Sequence, residues 1–182
     1  MPKPVSPFEG IAWVTGASTG IGRATALKLA RKGWRVAVTA RSREALEALA
    51  QEASDGYGKI IPMPADITDR EAIIEVIDTL EREHGGVALA VLNAGIYEPM
   101  HGNQLDYEVF DKTFDVNLSG TVNCLVPLQK VMFSRRQGQI AFVSSVAGYG
   151  GLPTSAAYGA TKAALINLAC LLYTSPSPRD RG

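Results

Sequence analysis

Short apolar runs and helix-period segments alternate along this chain from Ile11 onward, and few folds can accept such a pattern. "IAWVTG" (11–16), "WRVAVTA" (34–40), "KIIPMPA" (59–65), "VALAVLNAG" (87–95) and "GQIAFVSS" (138–145) have the length and apolarity of strands. The fourth is nearly all apolar, as a strand covered on both faces should be, and the third is interrupted by prolines. Helical spacing predicts helices over 20–33, closed by Gly33, and over 42–53, with Ser42 as N-cap. It predicts two more over 68–85, with Thr68 as cap and Gly85 as stop, and over 106–137, kinked at Pro127. A further helix begins at 156. Strand and helix in strict succession imply a parallel sheet, and right-handed crossovers make it a doubly wound α/β fold.

The length allows one domain: 182 residues, 46% of them apolar, can bury one sizeable core. Eighteen basic and eighteen acidic side chains cancel, which gives no electrostatic reason to expect nucleic acid or an anionic membrane as partner. Two cysteines, Cys124 and Cys170, are too few for a disulfide framework and suit a reducing compartment. The opening "MPKPVSPFEG" lacks an apolar signal core and reads as a flexible lead-in over residues 1–10. No apolar stretch is read as a membrane span, so the expectation is a cytoplasmic protein. The two histidines, His84 and His101, offer no metal-ligand spacing, and no metal is expected.

Chemistry enters at the strand ends. "TGASTGIG" (15–22) joins the first strand to the first helix. Gly16 permits a tight turn, Gly20 and Gly22 let a pyrophosphate approach the backbone, and Ser18, Thr19 and Ile21 complete a loop opening onto a helix N-terminus. The second strand ends at Ala40 and Arg41, where an NAD site usually carries an acid for the ribose 2′-hydroxyl. A guanidinium there can grip a 2′-phosphate, which favours NADP(H) over NAD(H), although a solvated arginine is the plainer alternative. Tyr158 and Lys162 are four apart on one helix face, where an ammonium favours the phenolate. Alone, such a pair is more often chance than catalysis. Ser144 and Ser145 end the fifth strand, and Asn93, Ala94 and Gly95 end the fourth, all at the sheet edge where such folds place ligands.

Taken together, "TGASTGIG", "ADI", "NAG", "VNLSG", "VSS" and "YGATK" resemble the short-chain dehydrogenase/reductase family in its main single-domain branch, over 11–169. The resemblance implies a Rossmann-type dinucleotide-binding domain and an oxidoreductase of small carbonyl or alcohol substrates, working as a homodimer or homotetramer. It implies that Tyr158 is the acid-base and that Lys162 holds the nicotinamide ribose and assists the phenol. Ser145 would orient the substrate carbonyl, and Asn117 would anchor a water relay to Lys162. Asp66 and Ile67 would meet the adenine, and Asn93, Ala94 and Gly95 would line the cleft. A 3-oxoacyl-carrier-protein reductase is the alternative within enzymes. A dinucleotide sensor without catalysis has no need of Tyr158, Lys162, Ser145 and Asn117 together.

Past Ala169 the family pattern calls for more helix, a sixth strand, a substrate-covering segment and a seventh strand. Here "CLLYTSPSPRD" (170–180) follows, and it resembles translated sequencing-adapter DNA. The expectation is a truncated domain over 11–169 with a non-native, disordered tail over 170–182, and a chain that is poorly folded and inactive. Only "IYEPMHG" and "VAGYGGLPT" are left to line a substrate pocket, so the substrate itself is not legible.

Overall fold

The computed structural model describes residues 4–54 and 58–174. In chain order the elements are β1 (Ile11–Thr15), α1 (Gly20–Arg31), β2 (Arg35–Thr39), α2 (Arg43–Glu52), β3 (Lys59–Pro62) and α3 (Arg70–His84). They continue as β4 (Val87–Leu92), α4 (Tyr107–Phe114), α5 (Gly120–Arg135), β5 (Gln139–Phe142) and α6 (Ala156–Thr174). The strands form one parallel sheet in the order β3-β2-β1-β4-β5. The chain winds outward from β1 to β3, then returns to add β4 on the other side of β1. A crevice therefore opens between the carboxyl ends of β1 and β4, where doubly wound folds bind ligands.

Alternate residues of β1 feed two cores. Ile11 and Trp13 pack with Ile73, Ile77 and Leu80 of α3 and with Cys124 and Leu128 of α5. Ala12 and Val14 pack with Ala26 and Ala30 of α1 and with Leu46 and Leu49 of α2. The central strand is buried along its whole length, which explains its unbroken apolar run. Trp13 is fully buried, and its indole N–H is satisfied by the Thr39 hydroxyl at 2.9 Å. Pro62, the last residue of β3, is tolerated because that strand lies on the sheet edge, and Pro64 falls beyond it.

Several boundaries differ from the sequence expectation. Ser42 does cap α2, accepting from Ala45 N at 3.2 Å. The cap of α3, however, is Asp69, which accepts from Ala72 N at 3.0 Å, while the Thr68 hydroxyl turns back to Asp66. The long helix expected over 106–137 is interrupted at a π turn, Asp115–Ser119, and not at Pro127, which α5 accommodates. At that turn the Gly120 amide reaches back five residues to the Asp115 carbonyl. The one-residue excess re-aims the side chain of Asn117.

Helix α6 runs to Thr174, beyond the boundary expected at Ala169, and takes in Cys170, Leu171 and Leu172. The rest of the expected tail, 175–182, lies outside the described residues. By length and composition alone, Ala156–Tyr173 could cross a membrane, contrary to the expectation that no stretch would. Its inner face nonetheless packs Ala157, Thr161, Lys162 and Leu165 against the rest of the protein. Residues 4–10, expected as a flexible lead-in, are tied to the far side of the sheet: Val5 N donates to Gln139 Oε1 at 3.4 Å, and Gln137 Nε2 to Glu9 Oε1 at 3.0 Å.

Two tests follow from this packing. Burial pushes the Cys124 thiol up to about 12, whereas Cys170 is exposed. At about pH 8 only roughly one Cys124 in 10,000 would be thiolate, so an aromatic disulfide reagent should label Cys170 at once and Cys124 only after denaturant is added. Rapid labelling of both thiols would contradict the packing of α5. A methyl group at Gly22 would overlap the Gly16 carbonyl oxygen and lie 2.5 Å from Asn93 Nδ2. Gly22→Ala should therefore cost about 1–3 kcal/mol and lower the thermal midpoint by several degrees. An unchanged melt would show that the loop has slack.

Candidate active site

The glycine loop sits at the mouth of the β1/β4 crevice. Gly16 and Gly20 both adopt left-handed backbone conformations, with φ of +66° and +56°. A side chain at Gly16 would strike the Ala94 backbone, with Cα only 2.7 Å away, whereas one at Gly20 would meet nothing within 4 Å. Thr19, the N-cap of α1, makes no side-chain capping bond, and the first turn carries no acidic residue. Thr19, Gly20 and Ile21 are exposed, and Ser18 is half-buried beside them. The first amides of α1 thus face open space without a competing acceptor, and this cradle fits a pyrophosphate.

Across the crevice, Thr15 and Asn93 join the two central strands. The Thr15 hydroxyl accepts from Asn93 N at 3.0 Å and from Ala94 N at 3.1 Å. Asn93 Nδ2 returns donations to the carbonyls of Thr15, at 3.0 Å, and Gly16, at 3.2 Å. Farther along the edge, Asp66 Oδ1 is held by the Thr68 amide and hydroxyl at 3.0 and 2.8 Å, which fixes the carboxylate. Ile67 is buried and packs on Gly120, so its main chain, and not its side chain, is what an adenine there can meet. Asn123, which the sequence did not single out, secures this segment by donating to the Ile67 and Thr68 carbonyls at 3.1 and 3.3 Å.

Arg41 follows β2 at the same edge and is exposed, with no carboxylate in ion-pair contact among the described residues. Arg43, by contrast, lies 3.9 Å from Glu47 within α2. The first guanidinium is available to an anion over the loop, and the residue before it, Ala40, presents no competing carboxylate.

Helix α6 and the end of β5 bring the remaining residues together. The Ser144 hydroxyl donates to the Lys162 carbonyl at 2.9 Å and is committed to holding α6. Ser145 Oγ accepts from Ala147 N at 3.2 Å, which fixes its oxygen and leaves its proton to donate elsewhere. Lys162 is buried, its Nζ donates to the Val143 carbonyl at 2.8 Å, and it lies 5.5 Å from the centre of the Tyr158 ring. Burial lowers the pKa of this ammonium, so its charge is lost earlier on raising pH than that of a surface lysine. Spacing on one helix face, read from the sequence, thus places Tyr158 and Lys162 side by side.

Asn117 is fully buried on the π turn. Its Oδ1 accepts from Ile96 N at 2.7 Å, and its Nδ2 donates to the Ile96 carbonyl at 2.9 Å and to Thr161 Oγ1 at 3.2 Å. With the side chain so committed, a water relay would have to use the main-chain carbonyl, which accepts from the Thr121 hydroxyl at 2.8 Å and has a second lone pair. Gly95 lies against both partners: a side chain there would sit 3.1 Å from Asn117 Oδ1 and 3.5 Å from Lys162 Nζ.

Sequence reasoning missed Thr15, Thr161 and Tyr97. Thr15 and Thr161 sit inside the motifs "TGASTGIG" and "YGATK", and buried polar residues beside catalytic candidates were the available signal. Tyr97 lies in the loop after β4, its ring 5.1 Å from that of Tyr158 in an edge-to-face arrangement. Not all of "VAGYGGLPT" faces the chemistry. Tyr149 and Val146 are largely exposed, and residues 147–156 line a cavity of about 410 Å³ against the outer side of α6 that includes neither Ser145, Tyr158 nor Lys162.

Comparison with known proteins places the chain in a family. A family profile described as short chain dehydrogenase matches residues 10–175. An uncharacterized oxidoreductase of Myxococcus xanthus is 40% identical over 154 residues, 85% of this chain and 61% of its own length. A 3-oxoacyl-[acyl-carrier-protein] reductase of Thermotoga maritima is 36% identical over 162 residues, 88% of this chain and 66% of its own length. The chain thus spans somewhat less than two thirds of these curated relatives. The crystal structure of an NAD+-bound xylitol dehydrogenase superposes with a TM-score of 0.87 at 30% identity, covering 93% of this chain and 66% of that one. With the glycine cradle, the crevice between β1 and β4 and the Tyr158–Lys162 pair in place, the chain belongs to the short-chain dehydrogenase family.

Proposed function

We propose that this site serves an NADP(H)-dependent carbonyl reductase or alcohol dehydrogenase. The observation that carries the reading is the convergence of Ser145, Tyr158 and Lys162 with the α1 cradle at one sheet edge. When bound, the dinucleotide supplies or accepts the hydride. The chain supplies the proton and the alignment. In the reducing direction the Ser145 hydroxyl donates to the carbonyl oxygen and polarises it. Tyr158 gives its phenolic proton to that oxygen as the carbon becomes tetrahedral. The Lys162 ammonium favours the phenolate left behind, and it can exchange its contact with the Val143 carbonyl for ribose hydroxyls. Asn117 serves from behind, fixing the loop after β4 against α6, with its carbonyl as the anchor for a water.

Arg41 supports NADP(H) over NAD(H), because a free guanidinium can pair with a 2′-phosphate in two parallel hydrogen bonds. The Thermotoga maritima relative supports a second reading, reduction of a 3-oxoacyl thioester, with the same residues acting on a substrate delivered by a carrier protein. Residues 11–169 would form the dinucleotide-binding unit in either case.

Cofactor choice and proton transfer can be tested separately. Fluorescence titration should show tighter binding of NADPH than of NADH, and Arg41→Ala should weaken NADPH by about 10- to 100-fold while sparing NADH. Equal affinity of the wild type for both would sink the 2′-phosphate reading. In carbonyl-reduction assays, Tyr158→Phe should lower the rate by about 10²–10⁴ with NADPH affinity nearly unchanged, whereas Lys162→Met should damage both. A near-wild-type rate in Tyr158→Phe would remove the assigned acid-base.

A further inference from the structure

Two phenols meet at the mouth of the crevice, and their hydrogen bonds make them unequal. Tyr97 lies edge-to-face with Tyr158, the ring centres 5.1 Å apart and the planes at 72°. The Tyr97 oxygen is 2.7 Å from Thr154 Oγ1, and Thr154 Oγ1 in turn donates to the Pro153 carbonyl at 2.6 Å. With the Thr154 proton directed to the Pro153 carbonyl, Tyr97 is the donor in the first bond. Its hydroxyl is thereby engaged with the facing loop.

The acceptor is held at a cost. Thr154 has a φ of +63°, a left-handed conformation that a β-branched residue avoids. The Met100 amide secures it by donating to the Thr154 carbonyl at 2.9 Å, and Met100 and Ser155 form a parallel bridge. The loop after β4 and the loop before α6 are thus clipped together, and the Tyr158 ring contacts both the Tyr97 ring and the Lys162 ammonium. Tyr97 itself is 49% exposed, so half of its ring is left for a ligand.

We propose that Tyr97 is a positioning and specificity residue: clipped to Thr154, it fixes the Tyr158 phenol and offers an aromatic wall to carbonyl compounds carrying a flat, apolar substituent. This rests on Tyr158 being the acid-base. The exposed part of the wall is mainly ring carbon, and it selects by shape and apolarity. Substrates whose carbonyl is flanked by a carboxylate gain nothing from it.

The test is NMR of the chain labelled with ¹³Cζ-tyrosine, titrated with acetophenone in the presence of NADP+, with signals assigned from Tyr97→Phe and Tyr158→Phe. Acetophenone should shift both signals, and Tyr97→Leu should weaken its binding about fivefold. Tyr97→Phe and Thr154→Val each break the same clip, so each should move the Tyr158 signal similarly and the double variant no further. Absence of acetophenone binding to the wild type, undiminished binding to Tyr97→Leu, or a Tyr158 signal indifferent to both clip variants would overturn the proposal. In parallel turnover assays with NADPH as hydride donor, acetophenone bound beside Tyr97 but never reduced would fail the proposed reaction alone. Reduction with an unchanged kcat/KM in Tyr97→Leu would fail the wall alone.

Discussion

The site depends first on the clamp between Thr15 and Asn93. At the carboxyl ends of β1 and β4 the strands part, and each would leave backbone groups without a ladder partner. Four hydrogen bonds among Thr15, Gly16, Asn93 and Ala94 satisfy those groups while keeping the crevice open. The clamp also aims the Gly16 turn, and the turn aims the N-terminus of α1 at the crevice. Gly22 packs so closely on Gly16 and Asn93 that helix, loop and strand end behave as one piece.

A second chain of contacts carries that rigidity to the reacting groups. From the π turn, Asn117 ties the loop after β4 to α6, gripping Ile96 and Thr161. Thr161 then donates to the Tyr158 carbonyl at 2.7 Å, one residue before Lys162. Lys162 is held twice, its carbonyl by Ser144 and its ammonium by Val143. Burying that ammonium opposes its charge, and a single carbonyl compensates only part of the lost solvation. A surface lysine, fully solvated, would carry no such deficit.

What could be read from the sequence follows from how local each signal was. The fold was legible because unbroken apolar runs such as "VALAVL" have no other home than a strand covered on both faces. Helical spacing put Tyr158 and Lys162 on one face, but only the joined motifs and their family resemblance singled the pair out, whereas the glycine loop was legible from its place between strand and helix. The π turn was not, since nothing in "DVNLS" distinguishes a five-residue turn from a continuing helix, and Pro127 was the stronger local signal for a break. The role of the Asn117 side chain was hidden with it, because its partners lie 21 and 44 positions away. Tyr97 was invisible for the same reason: its importance comes from Thr154, 57 residues on, and from a ring it meets only after α6 folds back.

The clamped β1/β4 crevice and the bare N-terminus of α1 have the form of a dinucleotide site. Amide hydrogen exchange of the chain, with and without NADP+, tests this directly and needs no turnover. Slower exchange is expected in two separated segments, 16–22 and 93–96, with residues 70–84 of α3 unaffected. Exchange unchanged in both segments at saturating NADP+, or protection confined to other parts of the sheet, would contradict it.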